Sequence, residues 1–376
     1  MNRKRAIRNM AMHVILLSAS IVLSTMATVT VAVAEQQQRN KPEPATELST
    51  TLTFPSVNNT HQYLTLSHFI YHFNGDTDET PLPGEDLKLH LFEDYSVSGC
   101  VMVVSSHSQK YVAAVFRGTD STNDWINDLQ ANKVPFGPDG DPIHGVDVLV
   151  HKGFNKELFN TGKHEDCQFD RVLNVIKNIT SVYPDYQIIT TGHSLGGALS
   201  ILMAAGLADL LVSSKIHDSP RNDDHAHSTT SISAITFAAP LTGDPIFKEY
   251  VDSMSHLGVW NHVLLNDIVP HVPYEKWNYT HPGHTVWFQK EAAMAYYLHV
   301  GDESFGFAGV PKEWKKTPYS IDEHRIPNYI DYMERRSLAW PGVYYVDAFE
   351  TISQTKITDF SQKRFDVNAA DVTALG

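Results

Sequence analysis

Apolar positions along the chain fall into short runs separated by polar and glycine-rich breaks. Residues 99–104, 111–116 and 186–191 are β-branched or aromatic runs of strand length, and residues 233–238, 261–265 and 284–288 repeat the pattern downstream. Between them, residues 169–183 change to a helical period, with Val172, Val175, Ile176 and Ile179 on one face. The segment after Ser194, rich in Ala, Leu, Met and Ile, predicts a long helix. Strands alternating with helices predict an α/β fold with a mostly parallel central sheet flanked by helices on both faces. No internal repeat interrupts it.

The ends follow other patterns. Arg3, Lys4, Arg5 and Arg8 precede an apolar stretch from Val14 to Val33, with small residues at Ala32 to Ala34, so residues 1–34 read as a secretory signal peptide. An uncleaved signal anchor is the alternative, and it tethers the protein to a membrane. Residues 35–56, rich in Gln, Pro, Thr and Glu, read as a flexible linker, and 57–376 as one domain with an extension after about 335. The destination is then the secretory-pathway lumen or the exterior. Three sequons, at Asn58, Asn178 and Asn278, become candidate glycosylation sites there, and Asn178 falls on the outward side of its helix.

Composition narrows the partners. At 376 residues and 42% hydrophobic content the chain buries one large core. Its formal charge of −14 becomes −18 if residues 1–34, with four basic and no acidic side chains, are removed. Such a surface is unsuited to nucleic acid. Cys100 and Cys167 do not make a disulfide scaffold, and whether they pair is open in the sequence. His217, His225 and His227 lie in a polar stretch over residues 213–231 that reads as a surface insertion, so neither a metal nor a cofactor is expected.

The chemistry is concentrated at Gly192-His193-Ser194-Leu195-Gly196, with a strand run before it and a helix run after it. A strand turning directly into a helix leaves no room beside the turn, so glycine is wanted two residues on either side of Ser194. The turn lifts the hydroxyl to a helix N-terminus, where free N–H groups receive an oxyanion. A serine nucleophile needs a base and an orienting carboxylate, in the order serine, acid, histidine in doubly wound hydrolases. Asp267 follows a buried-looking strand run and is the candidate acid; His271, His281, His284, His299 and His324 lie downstream, and physical reasoning alone leaves the base open.

AlaValPheArgGlyThr (114–119), ValHisLysGlyPhe (150–154), ThrGlyHisSerLeuGlyGly (191–197), residues 238–247 and AsnAspIleValProHisValPro (266–273) together resemble the fungal-type class 3 lipase family of alpha/beta hydrolases, from about 99 to about 335. The resemblance implies an oxyanion hole from the backbone N–H and hydroxyl of Thr119 and the N–H of Leu195. It implies a base near the end of the domain, best matched by His324 in Ile321-Asp322-Glu323-His324 with Tyr329 nearby, while His284 and His299 remain alternatives. It also implies a lid over residues 121–130 with Trp125, Ile126 and Leu129 on its apolar side; a fixed surface helix is the other reading of that segment. Three departures stand out: Leu241-Thr242 where the family often has an arginine, Glu323 inside the histidine motif, and no set of disulfides.

The expected function is a serine carboxylester hydrolase working through Ser194, Asp267 and His324, a triacylglycerol lipase first. A phospholipase A1 or feruloyl-type esterase is the alternative, and a non-catalytic binder on the same fold comes after them. The expected partner is a lipid or ester substrate, met at a lipid–water interface if the lid reading holds. No stable protein partner is expected.

Overall fold

A computed structural model describes residues 55–84, 86–94, 99–119, 131–139, 141–143, 145–161, 166–217, 231–273, 277–288, 295–298 and 319–337. The signal segment, nearly all of the linker, Trp125, Ile126 and Leu129, His225, His227, His299 and the extension after 337 lie outside them.

Eight strands form one sheet in the order β1 (Leu87–Asp94), β2 (Cys100–Ser106), β3 (Tyr111–Phe116), β6 (Gln187–His193), β7 (Ile232–Phe237), β8 (Leu257–Leu264), β9 (His284–Phe288), β10 (Ala295–Leu298). The centre, from β3 to β9, is parallel, and both edges are closed by antiparallel neighbours. A separate antiparallel pair joins β4 (Lys133–Pro135) to β5 (Leu149–His151).

The central strands are almost wholly buried because both faces are covered, and β2, β3 and β7 read as nearly continuous apolar runs. In β3, Val112, Ala114 and Phe116 face one core, while Tyr111, Ala113 and Val115 face the other. The first core is roofed by α2 (Lys152–Phe159), α3 (Gln168–Val182), α4 (Leu195–His217) and α5 (Pro245–Asp252). The second lies under α1 (Val57–Phe69) and α6 (Ile326–Ser337). Helix α1 starts at Ser56, whose hydroxyl accepts the Asn59 N–H at 3.1 Å, a capping contact. Helix α4 is apolar all round, and from Ala198 to Ala208 it is buried; it packs on β6 and β7. Cys100 and Cys167 are buried and free, so they do not pair with each other. Asn58, Asn178 and Asn278 are all exposed.

Parallel alignment brings the carboxyl ends of β3, β6, β7 and β8 to one edge of the sheet, where open α/β sheets place their sites.

Candidate active site

Strand β6 ends at His193 and α4 begins at Leu195, so a single residue, Ser194, makes the turn. It does so at φ 58°, in the left-handed region where a non-glycine residue is strained by about 1–3 kcal/mol. The surroundings hold it there. The Ser194 N–H donates to the Phe237 carbonyl at 3.0 Å. A Cβ on Gly196 would overlap the Phe116 carbonyl oxygen, and one on Gly192 would come within 2.7 Å of that oxygen. One on Gly197 would meet the Ala239 methyl at 2.7 Å. Glycine spacing at this turn is therefore a packing requirement. Ser194 is fully buried, and its Oγ has no hydrogen-bond partner among the described residues.

Three residues beyond the end of β8 lies Asp267, also fully buried. Its Oδ1 accepts the Val269 N–H at 2.9 Å and its Oδ2 accepts the Tyr329 hydroxyl at 2.8 Å. His324, on a 3-10 turn at Asp322–His324 just before α6, presents Nδ1 to both carboxylate oxygens at 3.0 and 3.1 Å. A carboxylate only accepts, so Nδ1 carries the proton and Nε2 of the neutral ring is an acceptor. That Nε2 is buried with no partner among the described residues. Tyr329 also accepts the Leu264 N–H at 2.9 Å, and burial beside Asp267 holds its hydroxyl well above the usual tyrosine range. It is accordingly a permanent donor to Asp267.

His193 joins these parts. Its Nε2 meets the His324 carbonyl at 2.7 Å, and its Nδ1 meets the Tyr71 hydroxyl at 3.0 Å. The carbonyl requires Nε2–H as donor, which makes Nδ1 an acceptor for Tyr71. Burial, followed by repulsion from His324, pushes His193 well below the ordinary imidazole range, so it stays neutral. The residue before the serine thus bonds the loop of the histidine, with the two rings 4.6 Å apart. Sequence reasoning passed over His193 and Tyr71. The signal available was adjacency: a buried polar residue beside the nucleophile needs partners, and those partners define the site.

Next to Tyr71, Gly118 carries the chain from β3 against the elbow, where a Cβ would overlap the Tyr71 hydroxyl and lie 2.6 Å from the His193 carbonyl and 3.1 Å from Ser194 Cβ. Thr119 follows directly, half-buried, as is Leu195 at the start of α4. Arg117 is held away by both Asp94 carboxylate oxygens at 3.1 and 3.2 Å. The chain thus passes the elbow at Gly118, one residue before Thr119, and the first N–H groups of α4 follow Ser194 directly.

Of the described histidines, His324 is the one that reaches Asp267. His281 directs Nε2 to the Pro270 carbonyl at 3.1 Å, His284 stacks on Trp260 at 4.7 Å, and His271 lies against the Tyr319 ring. Burial lowers His271 to about 4 and His281 to about 3. Among the described residues no three His, Cys, Asp or Glu side chains are grouped to hold a metal ion.

Residues 113–277 match the family described as Lipase (class 3). The lipase of Rhizomucor miehei is 32% identical over 186 residues, covering 50% of this chain and 44% of that protein. Phospholipase A1-II 7 of Oryza sativa subsp. indica is 26% identical over 180 residues, covering 45% of this chain and 43% of its own. The chain thus spans under half the length of the curated relatives it matches. Among solved structures, the native Rhizomucor miehei lipase propeptide complex superposes with a TM-score of 0.53 at 26% identity, over 71% of this chain and 78% of that one. Lipase II from Rhizopus niveus, at 24% identity and a TM-score of 0.52 over 71% and 92% of the two chains, shares the alpha/beta hydrolase fold.

Proposed function

We propose that this chain, whose residues 113–277 match the class 3 lipase family, is a serine carboxylester hydrolase of lipase type with triacylglycerol as its first substrate class. The observation that supports this reading is that Asp267 holds His324 by Nδ1, while Ser194 Oγ and His324 Nε2, the two atoms that must exchange a proton, are both buried without a hydrogen-bond partner among the described residues.

In this reading Ser194 Oγ attacks the ester carbonyl while His324 Nε2 takes its proton, and Asp267 orients the ring and stabilises its charged form. The carbonyl oxygen becomes an oxyanion held by the Thr119 N–H and hydroxyl and by the Leu195 N–H. His324 returns the proton to the departing alkoxide, leaving an acyl-serine. Water, deprotonated by the same Nε2, then releases the acid. Every step is covered by residues of this chain. The protein acts in the secretory lumen or outside the cell, and Asn58, Asn178 and Asn278 are exposed where a glycan would need them. Phospholipase A1 activity is the second reading, favoured by the likeness to the rice phospholipase; both share the acyl chemistry and differ in the leaving group.

Ser194→Ala tests the core of this. Turnover of a soluble ester should fall by about 10⁴-fold or more, with loss of labelling by a serine-directed phosphonate. Near-parent activity would overturn it. A panel of emulsified triacylglycerols, phospholipid vesicles and feruloyl esters then ranks the leaving groups.

A further inference from the structure

Glu323 stands inside the histidine motif, where the sequence departs from the family pattern. The structure gives it a partner. Its Oε2 accepts the backbone N–H of Asn266 at 2.5 Å. Asn266 immediately precedes Asp267 and Glu323 immediately precedes His324, so the neighbour of one member grips the neighbour of the other. Backbone contacts run alongside: Ser320 N–H donates to the Asn266 carbonyl at 2.8 Å, and Asp267 and Ser320 pair as a single parallel bridge. Glu323 N–H donates to Ser320 Oγ at 3.4 Å, closing a small loop. The adjacent charges are engaged elsewhere, since Asp322 and Arg325 are exposed and pair with each other at 3.4 Å.

We propose that Glu323 is a positioning residue: its half-buried carboxylate locks the loop bearing His324 to the loop bearing Asp267. This rests on the reading of Ser194, His324 and Asp267 given above. A carboxylate accepting a backbone N–H makes a short, charge-assisted bond, stronger than a neutral one. Positional tolerance at a proton-transfer site is small, a shift of about 1 Å costing on the order of 10²-fold in rate. Loop connections of this kind decide whether Nδ1 meets both oxygens of Asp267. Among the described residues, Asp267 bonds the His324 ring, His193 packs beside it, and Tyr329 backs Asp267.

Two variants test the lock. Glu323→Gln keeps an acceptor for the Asn266 N–H and removes the charge; Glu323→Ala removes both. With a soluble short-chain ester, Glu323→Ala should lose about 10- to 100-fold in kcat with KM within about threefold. Glu323→Gln, which keeps the acceptor, should restore kcat to within about threefold of the parent. A folded Glu323→Ala enzyme with parent kcat overturns the inference, and so does a glutamine variant as slow as the alanine one. Should Glu323→Ala fail to fold by circular dichroism, Glu323→Asp decides: its shorter side chain withdraws the acceptor from the Asn266 N–H, so a parent kcat sinks the proposal. Activity surviving in Ser194→Ala would instead refute the underlying reading, so the two failures are distinguishable.

Discussion

Tyr329 shows how much of this site depends on residues that do no chemistry. Its hydroxyl donates to Asp267 Oδ2 and accepts from the Leu264 N–H, so one oxygen joins the acid to the end of β8. Tyr329→Phe leaves that buried N–H unpaired and takes one donor from the carboxylate. Stability should fall by about 1–3 kcal/mol in chemical denaturation, and kcat should fall by about tenfold. Unchanged stability would mean that another acceptor reaches Leu264. At this scale Ser194 was legible because its glycine neighbours are sterically required, and Asp267 because it follows a buried strand run. His324 was not separable by physical reasoning from four other histidines. The closure of its loop onto Asp267 spans a sequence separation of 57 residues and leaves no local pattern. His193 and Tyr71 escaped for the same reason, and Glu323 was visible as a departure in the histidine motif but not by its role, since each acts through a partner distant in sequence.

Among the elements, the β6–α4 turn is the least tolerant. Gly196→Ala drives a methyl into the Phe116 carbonyl, a main-chain atom of β3 that cannot rotate away. The expected result is loss of soluble expression, or a fold without phosphonate labelling at Ser194; a labelled variant with parent Tm would show that the elbow can relax. Strands β2, β3 and β7 were readable because burial on both faces leaves nearly continuous apolar runs. The flanking elements were not. Strand β1 is half-exposed over most of its length and helix α1 mixes Asn, Thr and His into its apolar positions, so neither carries a clean period. Residues 169–183 were legible because Val172, Ile176 and Ile179 do line the buried face, with Val175 half-buried at its edge.

The whole molecule carries an acid sensitivity. His193, His262, His271 and His281 are buried, and burial lowers His262 and His271 to about 4, His281 to about 3, and His193 well below its ordinary value. Above pH 6.5 these rings are neutral in both folded and unfolded chains and contribute no pH dependence. Below it the unfolded chain binds protons that the folded one refuses, so stability falls as pH drops towards 4, by up to about 1.4 kcal/mol per pH unit for each ring. Thermal melts between pH 7 and 4 should show Tm declining steeply below about pH 6; a flat Tm over that range would show that these rings find room to protonate. The two cysteines have the opposite character. Each is buried, unpaired and pushed up, Cys100 to about 12 and Cys167 to about 11, so neither is a thiolate in ordinary solution. A domain held together this way draws nothing from its redox surroundings: it folds alike with or without an oxidant, and its thiols, silent to alkylating reagents while the sheet is closed, turn reactive only when the core opens.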